Sequence, residues 1–142
     1  MPRSLIDKFS RPVPRYTSYP TAPHFHAGIN QDVYEGWLTA LSPTATASLY
    51  LHLPFCDRLC WFCGCHTKQT NRYGPVATYL AALGAEIDRI GALLGPRRVT
   101  ALHWGGGSPS LIAPEDIGAI TQRLRTAFNI TDDVEFSVEL DP

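Results

Sequence analysis

The sequence predicts an α/β domain with a parallel β-α-β-α-β sheet, preceded by an irregular N-terminal arm. Three observations carry that prediction. From residue 48 onward there are three short strand-like runs, of which the first and the third alternate apolar and polar residues at period two, as half-buried strands do. Between them lie two longer stretches with apolar residues three and four apart, the period of a helix buried on one face. Glycine or proline punctuates most of the junctions, at Pro54, Gly74-Pro75, Gly95-Pro96 and Gly105–Pro109. Strands that alternate with helices pair in parallel through right-handed crossovers.

The arm and its short helix occupy residues 1–47, and the sheet unit occupies 48–142. Residues 1 to about 29 read as irregular, because Pro12, Pro14, Pro20 and Pro23 interrupt any helix interior. Within them, Pro14-Arg15-Tyr16-Thr17-Ser18-Tyr19-Pro20-Thr21 reads as an arm packing its tyrosines over a core edge. His24 and His26, with no third ligand beside them, read as surface or packing residues. Asn30 is placed to cap a helix over Gln31–Leu41, with Val33, Trp37, Leu38 and Leu41 on one face and Ser42-Pro43 ending it.

The first strand runs from Ser48 to Leu53: Leu49, Leu51 and Leu53 face one side, Tyr50 and His52 the other, and Pro54 stops it. Gly74-Pro75 opens a helix carrying Val76, Tyr79, Leu80, Leu83, Ile87, Ile90 and Leu94, and Gly95-Pro96 closes it. Val99–Trp104 is the second strand and leads into Gly105-Gly106-Gly107-Ser108-Pro109. A second helix begins at Pro114-Glu115-Asp116, its early acidic residues suiting the macrodipole, with Ile117, Ile120, Leu124 and Phe128 as the buried stripe. Asn129–Asp133 reads as a turn. Val134, Phe136, Val138 and Leu140 then alternate with Glu135, Ser137 and Glu139 as the third strand.

Bulk properties exclude several classes of function. Twelve basic and thirteen acidic residues leave a net charge of −1, so charge balance implies no nucleic-acid partner. No apolar run approaches about 18 residues, and the start Met1-Pro2-Arg3-Ser4-Leu5-Ile6-Asp7 has no hydrophobic signal core, so neither membrane nor export is expected. The expected location is the cytoplasm, where cysteines stay reduced or bind metal.

All four cysteines fall within Cys56-Asp57-Arg58-Leu59-Cys60-Trp61-Phe62-Cys63-Gly64-Cys65, a C-x3-C-x2-C-x-C arrangement. Thiolates this close converge on one centre, whereas two adjacent disulfides would be strained. A structural zinc site takes its ligands as two separated pairs, and no second pair exists. Compact cysteine runs of this type hold iron–sulfur clusters. A cluster, zinc or another metal, and plain redox thiols all stay open on spacing alone. In a parallel sheet the loops at the carboxyl ends of strands build the site. The cysteine loop, the glycine run and Glu139 all fall at such ends, which points to one rim and one site.

The cysteine motif, its lead Tyr50-Leu51-His52-Leu53-Pro54-Phe55, the glycine run and Glu139-Leu140-Asp141-Pro142 together resemble the radical S-adenosylmethionine (radical SAM) superfamily. Within it, the extended cysteine motif and the N-terminal arm resemble the oxygen-independent coproporphyrinogen III oxidases. The resemblance implies that the sheet is the first part of a radical SAM partial (β/α) barrel. It implies that Cys56, Cys60 and Cys63 bind a [4Fe–4S] cluster whose open iron chelates SAM, with Cys65 beside it as a non-ligand. It assigns Tyr50 to the SAM at the cluster and places Phe62 against a SAM molecule. Gly106 serves the first SAM, Gly107 and Ser108 a second SAM, and Glu139 the SAM ribose. His52 belongs to the motif without an assigned role, and no residue is singled out as catalytic. Trp61 and Ser108 stand where the family has tyrosine and threonine.

The implied reaction is oxidative decarboxylation of two propionates of coproporphyrinogen III to vinyl groups, giving protoporphyrinogen IX in haem biosynthesis. A reduced cluster passes an electron to SAM, and the resulting 5′-deoxyadenosyl radical abstracts hydrogen beside the ring. The implied partners are the porphyrinogen and an electron donor such as flavodoxin or ferredoxin, and the full-length enzyme is expected to be monomeric. The family continues past Pro142 with further strand–helix units, so an N-terminal fragment, inactive alone toward coproporphyrinogen III, is the expectation. Two alternatives remain: a haem chaperone of the same superfamily, which lacks the Cys65 pattern, and a non-catalytic iron–sulfur or metal-binding module.

Overall fold

A computed structural model describes residues 3–10, 20–61 and 63–141 of the chain. The tyrosine-rich segment 11–19 and Phe62 lie outside the described residues. The chain forms two compact units, Met1–Tyr34 and Glu35–Pro142.

In the first unit, residues expected to be irregular include a short helix α1, Arg3–Phe9. This stretch precedes Pro12 and contains neither glycine nor proline, so nothing prevents its backbone bonds from closing, and Ser10 N–H extends them to the Ile6 carbonyl. A single 3-10 turn covers Ala22–His24. His24 Nδ1 sits 2.9 Å from Thr21 Oγ1, and His26 Nδ1 accepts from Gly28 N–H, so both exposed histidines serve local turns. Helix α2, Gln31–Thr39, starts as the sequence predicts: Asn30 Oδ1 accepts from Val33 N–H at 3.1 Å. Its expected apolar face is not buried, with Trp37 56% and Leu41 45% exposed.

The second unit holds the sheet. Strands β1 (Ala47–Leu53), β4 (Arg98–Gly106) and β5 (Asn129–Val138) pair in parallel in the order β1-β4-β5. Helices α3 (Tyr73–Leu94) and α4 (Pro114–Ala127) make the crossovers. Leu51 and Leu53 of β1, Val99, Leu102 and Trp104 of β4, Val76, Leu80, Leu83 and Ile87 of α3, and Ile120, Leu124 and Phe128 form the core. At about 25 cal/mol per Å² of apolar area removed from water, this layer is what holds helices to sheet. Ile117, predicted on the buried stripe, is 37% exposed although it shares a helix face with the buried Ile120; it sits in the first turn of α4. Residues 35–47 fall in this unit, where Glu35 pairs with Arg89 and Arg97 donates to the Leu41 and Ser42 carbonyls.

Two further departures concern the strands. β4 extends through Gly105 and Gly106 rather than ending at Trp104, so part of the glycine run belongs to the ladder. β5 begins at Asn129, where a turn was predicted. Arg98 pairs with Asn129 and Val99 with Ile130, but Ala101 pairs with Glu135, so the intervening residues bulge out of register. Thr131 donates to Asp133 and Arg98 pairs with it, which together hold that carboxyl below the usual range. The bulge is thus closed on itself within a continuing strand.

A second, two-residue parallel ladder joins β2 (Phe55–Cys56) to β3 (Lys68–Gln69). The sequence gives no period from which to predict strands so short. Lys68 N–H reaches the Pro54 carbonyl and Thr70 N–H the Cys56 carbonyl, tying both ends of the cysteine loop together.

Candidate active site at the carboxyl rim of the sheet

β1, β4 and β5 end side by side, and the three expected features meet there. After β1 the chain passes through β2 into the cysteine loop, a turn of which is closed by Cys63 N–H on the Cys60 carbonyl at 3.0 Å. All four cysteines are free thiols; Cys56 is partly covered and Cys60, Cys63 and Cys65 are exposed. Cys56 Sγ lies 3.4 Å from Thr67 Oγ1. Partial burial, then the charge and hydrogen bond of Cys63, then Glu139 and Cys56, push the Cys65 thiol up. Glu139 therefore shares an electrostatic neighbourhood with the loop.

The glycine run is sewn to the exit of β1. Gly107 N–H donates to the Leu53 carbonyl at 2.6 Å, and Ser108 N–H to the Phe55 carbonyl at 2.7 Å. A Cβ on Gly107 would sit 2.2 Å from the Phe55 carbonyl oxygen, so only glycine allows that approach. Gly106 has φ +105°, a conformation that side chains rarely adopt. Its N–H donates to Glu139 Oε2 at 2.7 Å, and the His52 ring covers its other side. Ser108 is the buried polar residue of this seam, 5% exposed.

Glu139 continues β5 past Val138, with its N–H on the Trp104 carbonyl at 2.9 Å. Its carboxylate reaches across to β4. Tyr50 and His52 share the polar face of β1, as their period predicts. Tyr50 Oη and His52 Nδ1 are 3.0 Å apart, and His52 Nε2 is 2.8 Å from the His66 carbonyl oxygen. Tyr50 is 56% exposed; partial burial, then Glu139, then Cys65, raise its phenol above the ordinary range. Of the sequence-predicted residues the rim brings together Tyr50, Gly106, Gly107, Ser108 and Glu139, with Cys56, Cys60 and Cys63 on the adjoining loop.

No family model matches the chain. A curated relative from Paracoccus denitrificans (strain Pd 1222), an oxygen-independent coproporphyrinogen III oxidase, is 47% identical over 135 residues, covering 94% of this chain and 30% of the relative. A protein of the same name from Mannheimia haemolytica is 41% identical over 140 residues, covering 98% of this chain and 94% of that one. The chain belongs to the oxygen-independent coproporphyrinogen III oxidase family. Among solved structures, coproporphyrinogen III oxidase (HemN) from Escherichia coli, described as a radical SAM enzyme, superposes with a TM-score of 0.84 at 37% identity. That match covers 99% of this chain and 30% of HemN. The chain thus spans about 30% of the length of several curated members it matches, and nearly the whole of another.

Membership of this family makes a thiolate-bound cluster the group to test against the rim. Among the described residues, no three His, Cys, Asp or Glu side chains are gathered as a metal-holding group. The donor set nevertheless fits an iron–sulfur cluster: free thiols alone, on one loop tied at its base.

His103, which the sequence reading did not single out, also stands in this site. It faces Tyr50 in ring stacking and lies beside Ser137 and Glu139. Its position two residues before Gly105, on the polar face of β4, was the signal available.

Proposed function

We propose that this chain supplies the cluster- and SAM-binding rim of an oxygen-independent coproporphyrinogen III oxidase. The observation that carries the reading is the meeting of three strand ends: the thiol loop, the Gly106–Ser108 seam and the Glu139 carboxylate, joined by the Gly106 N–H bond to Glu139. Cys56, Cys60 and Cys63 would hold a [4Fe–4S] cluster, with Cys65 outside the ligand set. When bound, the cluster and SAM supply the one-electron chemistry that begins hydrogen abstraction from the propionate side chains of coproporphyrinogen III.

The chain's own residues bind and orient. Glu139, anchored at one oxygen by Gly106 N–H, presents its carboxylate for the hydroxyls of the SAM ribose. Tyr50 contributes a neutral phenol, as the ordinary tyrosine value of about 10 already ensures near neutral pH. Gly106 serves the same SAM; Gly107, Ser108 and Phe62 serve a second. The porphyrinogen, an electron donor of the flavodoxin or ferredoxin type, a cytoplasmic location and a full-length enzyme that is monomeric complete the reading. Among the described residues, no helix is long and apolar enough to cross a membrane.

The test is reductive SAM cleavage. Anaerobically reconstituted chain, reduced with dithionite, should release 5′-deoxyadenosine and methionine from SAM, and Cys60→Ala should not. Wild-type chain that carries the cluster but neither binds nor cleaves SAM refutes the reading.

A further inference from the structure

His103 has no role in the function proposed above, yet it meets two of the residues that do. We propose that His103 is a positioning residue that sets Tyr50 and Glu139 for the bound SAM; this rests on the proposed function. The pairing register places Tyr50, His103 and Ser137 opposite one another across all three strands, in one row on the polar face. The His103 ring stacks on Tyr50, with centroids 5.4 Å apart and planes at 11°. Its Nδ1 is 2.6 Å from Ser137 Oγ, and its Nε2 is 3.4 Å from Glu139 Oε1.

Those contacts select one tautomer. If Nδ1 carried the proton, the Nε2 lone pair would face a carboxylate oxygen and repel it. With the Ser137 hydroxyl donating to Nδ1, the ring proton sits on Nε2 and points at Glu139. Glu139 is then held from both sides: Gly106 N–H donates to Oε2 at 2.7 Å, and the His103 Nε2–H faces Oε1 across 3.4 Å, an electrostatic contact longer than a hydrogen bond.

Gly105 provides the room for this meeting. A Cβ there would lie 2.7 Å from both Glu139 Oε2 and His103 Nε2. The strand thus spends a residue without a side chain where the imidazole and the carboxylate come together. A ring that merely filled space on β4 would need neither the serine on one nitrogen nor the gap beside the other.

Two experiments test the assignment. In the chain without cluster, nitrogen-15 NMR should find the His103 proton on Nε2, and His103→Phe should move the Gly106 amide proton in the same direction as Glu139→Gln. In cluster-loaded chain, equilibrium dialysis should show SAM bound about tenfold more weakly by His103→Phe, a loss of ~1.4 kcal/mol. His103→Gln, which keeps a donor, should recover part of that loss. Combining His103→Phe with Glu139→Gln should cost less than the sum of the two, because both act through one carboxylate. Failure of the wild-type chain to bind SAM overturns the proposed function. An Nδ1–H ring, an unmoved Gly106 amide, or additive losses overturn the positioning role, so the two failures are told apart.

Discussion

Gly107→Ala separates what the glycine run does for the fold from what it does for a ligand. The added Cβ would lie 2.2 Å from the Phe55 carbonyl oxygen and 2.7 Å from that of Leu53. Both neighbours are backbone atoms in or beside β1, so neither can swing away as a flexible side chain would. Relief requires the seam to open, which sacrifices the Gly107 N–H bond to Leu53 and the Ser108 N–H bond to Phe55. Two hydrogen bonds at about 0.5–1.5 kcal/mol each and overpacking at about 1–3 kcal/mol give roughly 2–6 kcal/mol of destabilisation. Against a total stability of about 5–15 kcal/mol, that is a large fraction. With a urea m-value of about 1–3 kcal/mol per M, the midpoint should fall by about 1 M or more. Gly118→Ala in α4, where no atom lies within 4 Å of the new Cβ, is the control and should gain about 0.5–1 kcal/mol of stability. A Gly107→Ala midpoint equal to wild type would refute the steric argument and leave a ligand role as the reason for that glycine.

Three further outcomes are expected. Glu139→Gln should weaken SAM binding by about 10- to 150-fold, from a charged hydrogen bond of about 1.5–3 kcal/mol, while Glu135→Gln leaves it unchanged; equal effects in dialysis would contradict the placement. Tyr79 donates to the His52 carbonyl, and burial, then Glu86, then Tyr50, raise its pKa. The unfolded chain therefore ionises this phenol first, so stability should fall as pH rises above about 10. Tyr79→Phe should flatten that alkaline limb in denaturation series, and an unchanged limb would sink the assignment. The edge of β5 shows Phe136 59% and Val138 38% exposed, so the chain should self-associate with rising concentration in sedimentation, whereas a monomer throughout would contradict it.

The strands and helices were legible because Leu49, Leu51 and Leu53, or Val76, Leu80, Leu83 and Ile87, repeat at a period that only one element type can bury. The rim was legible for a related reason: in a parallel sheet, sequence order alone fixes which loops share an end. Other features have no such period. The bulge in β5 depends on how Thr131 and Asp133 bond one another and Arg98, a matter of side-chain geometry. The β2–β3 ladder is two residues long and is set by loop closure over distant sequence. Trp37 and Leu41 have the spacing of a buried face and are exposed, because period shows that a face exists and not what covers it. His103 acquires its place only when three strands come into register.

The most direct measurement is the metal content of anaerobically purified and reconstituted chain, alongside its cysteine variants. The account predicts about four irons and about four sulfides per chain with a broad absorption shoulder near ~400 nm. These should be lost in Cys56→Ala, Cys60→Ala and Cys63→Ala and retained in Cys65→Ala. Stoichiometric zinc without iron, or a cluster that survives loss of any of the three ligands, would contradict it.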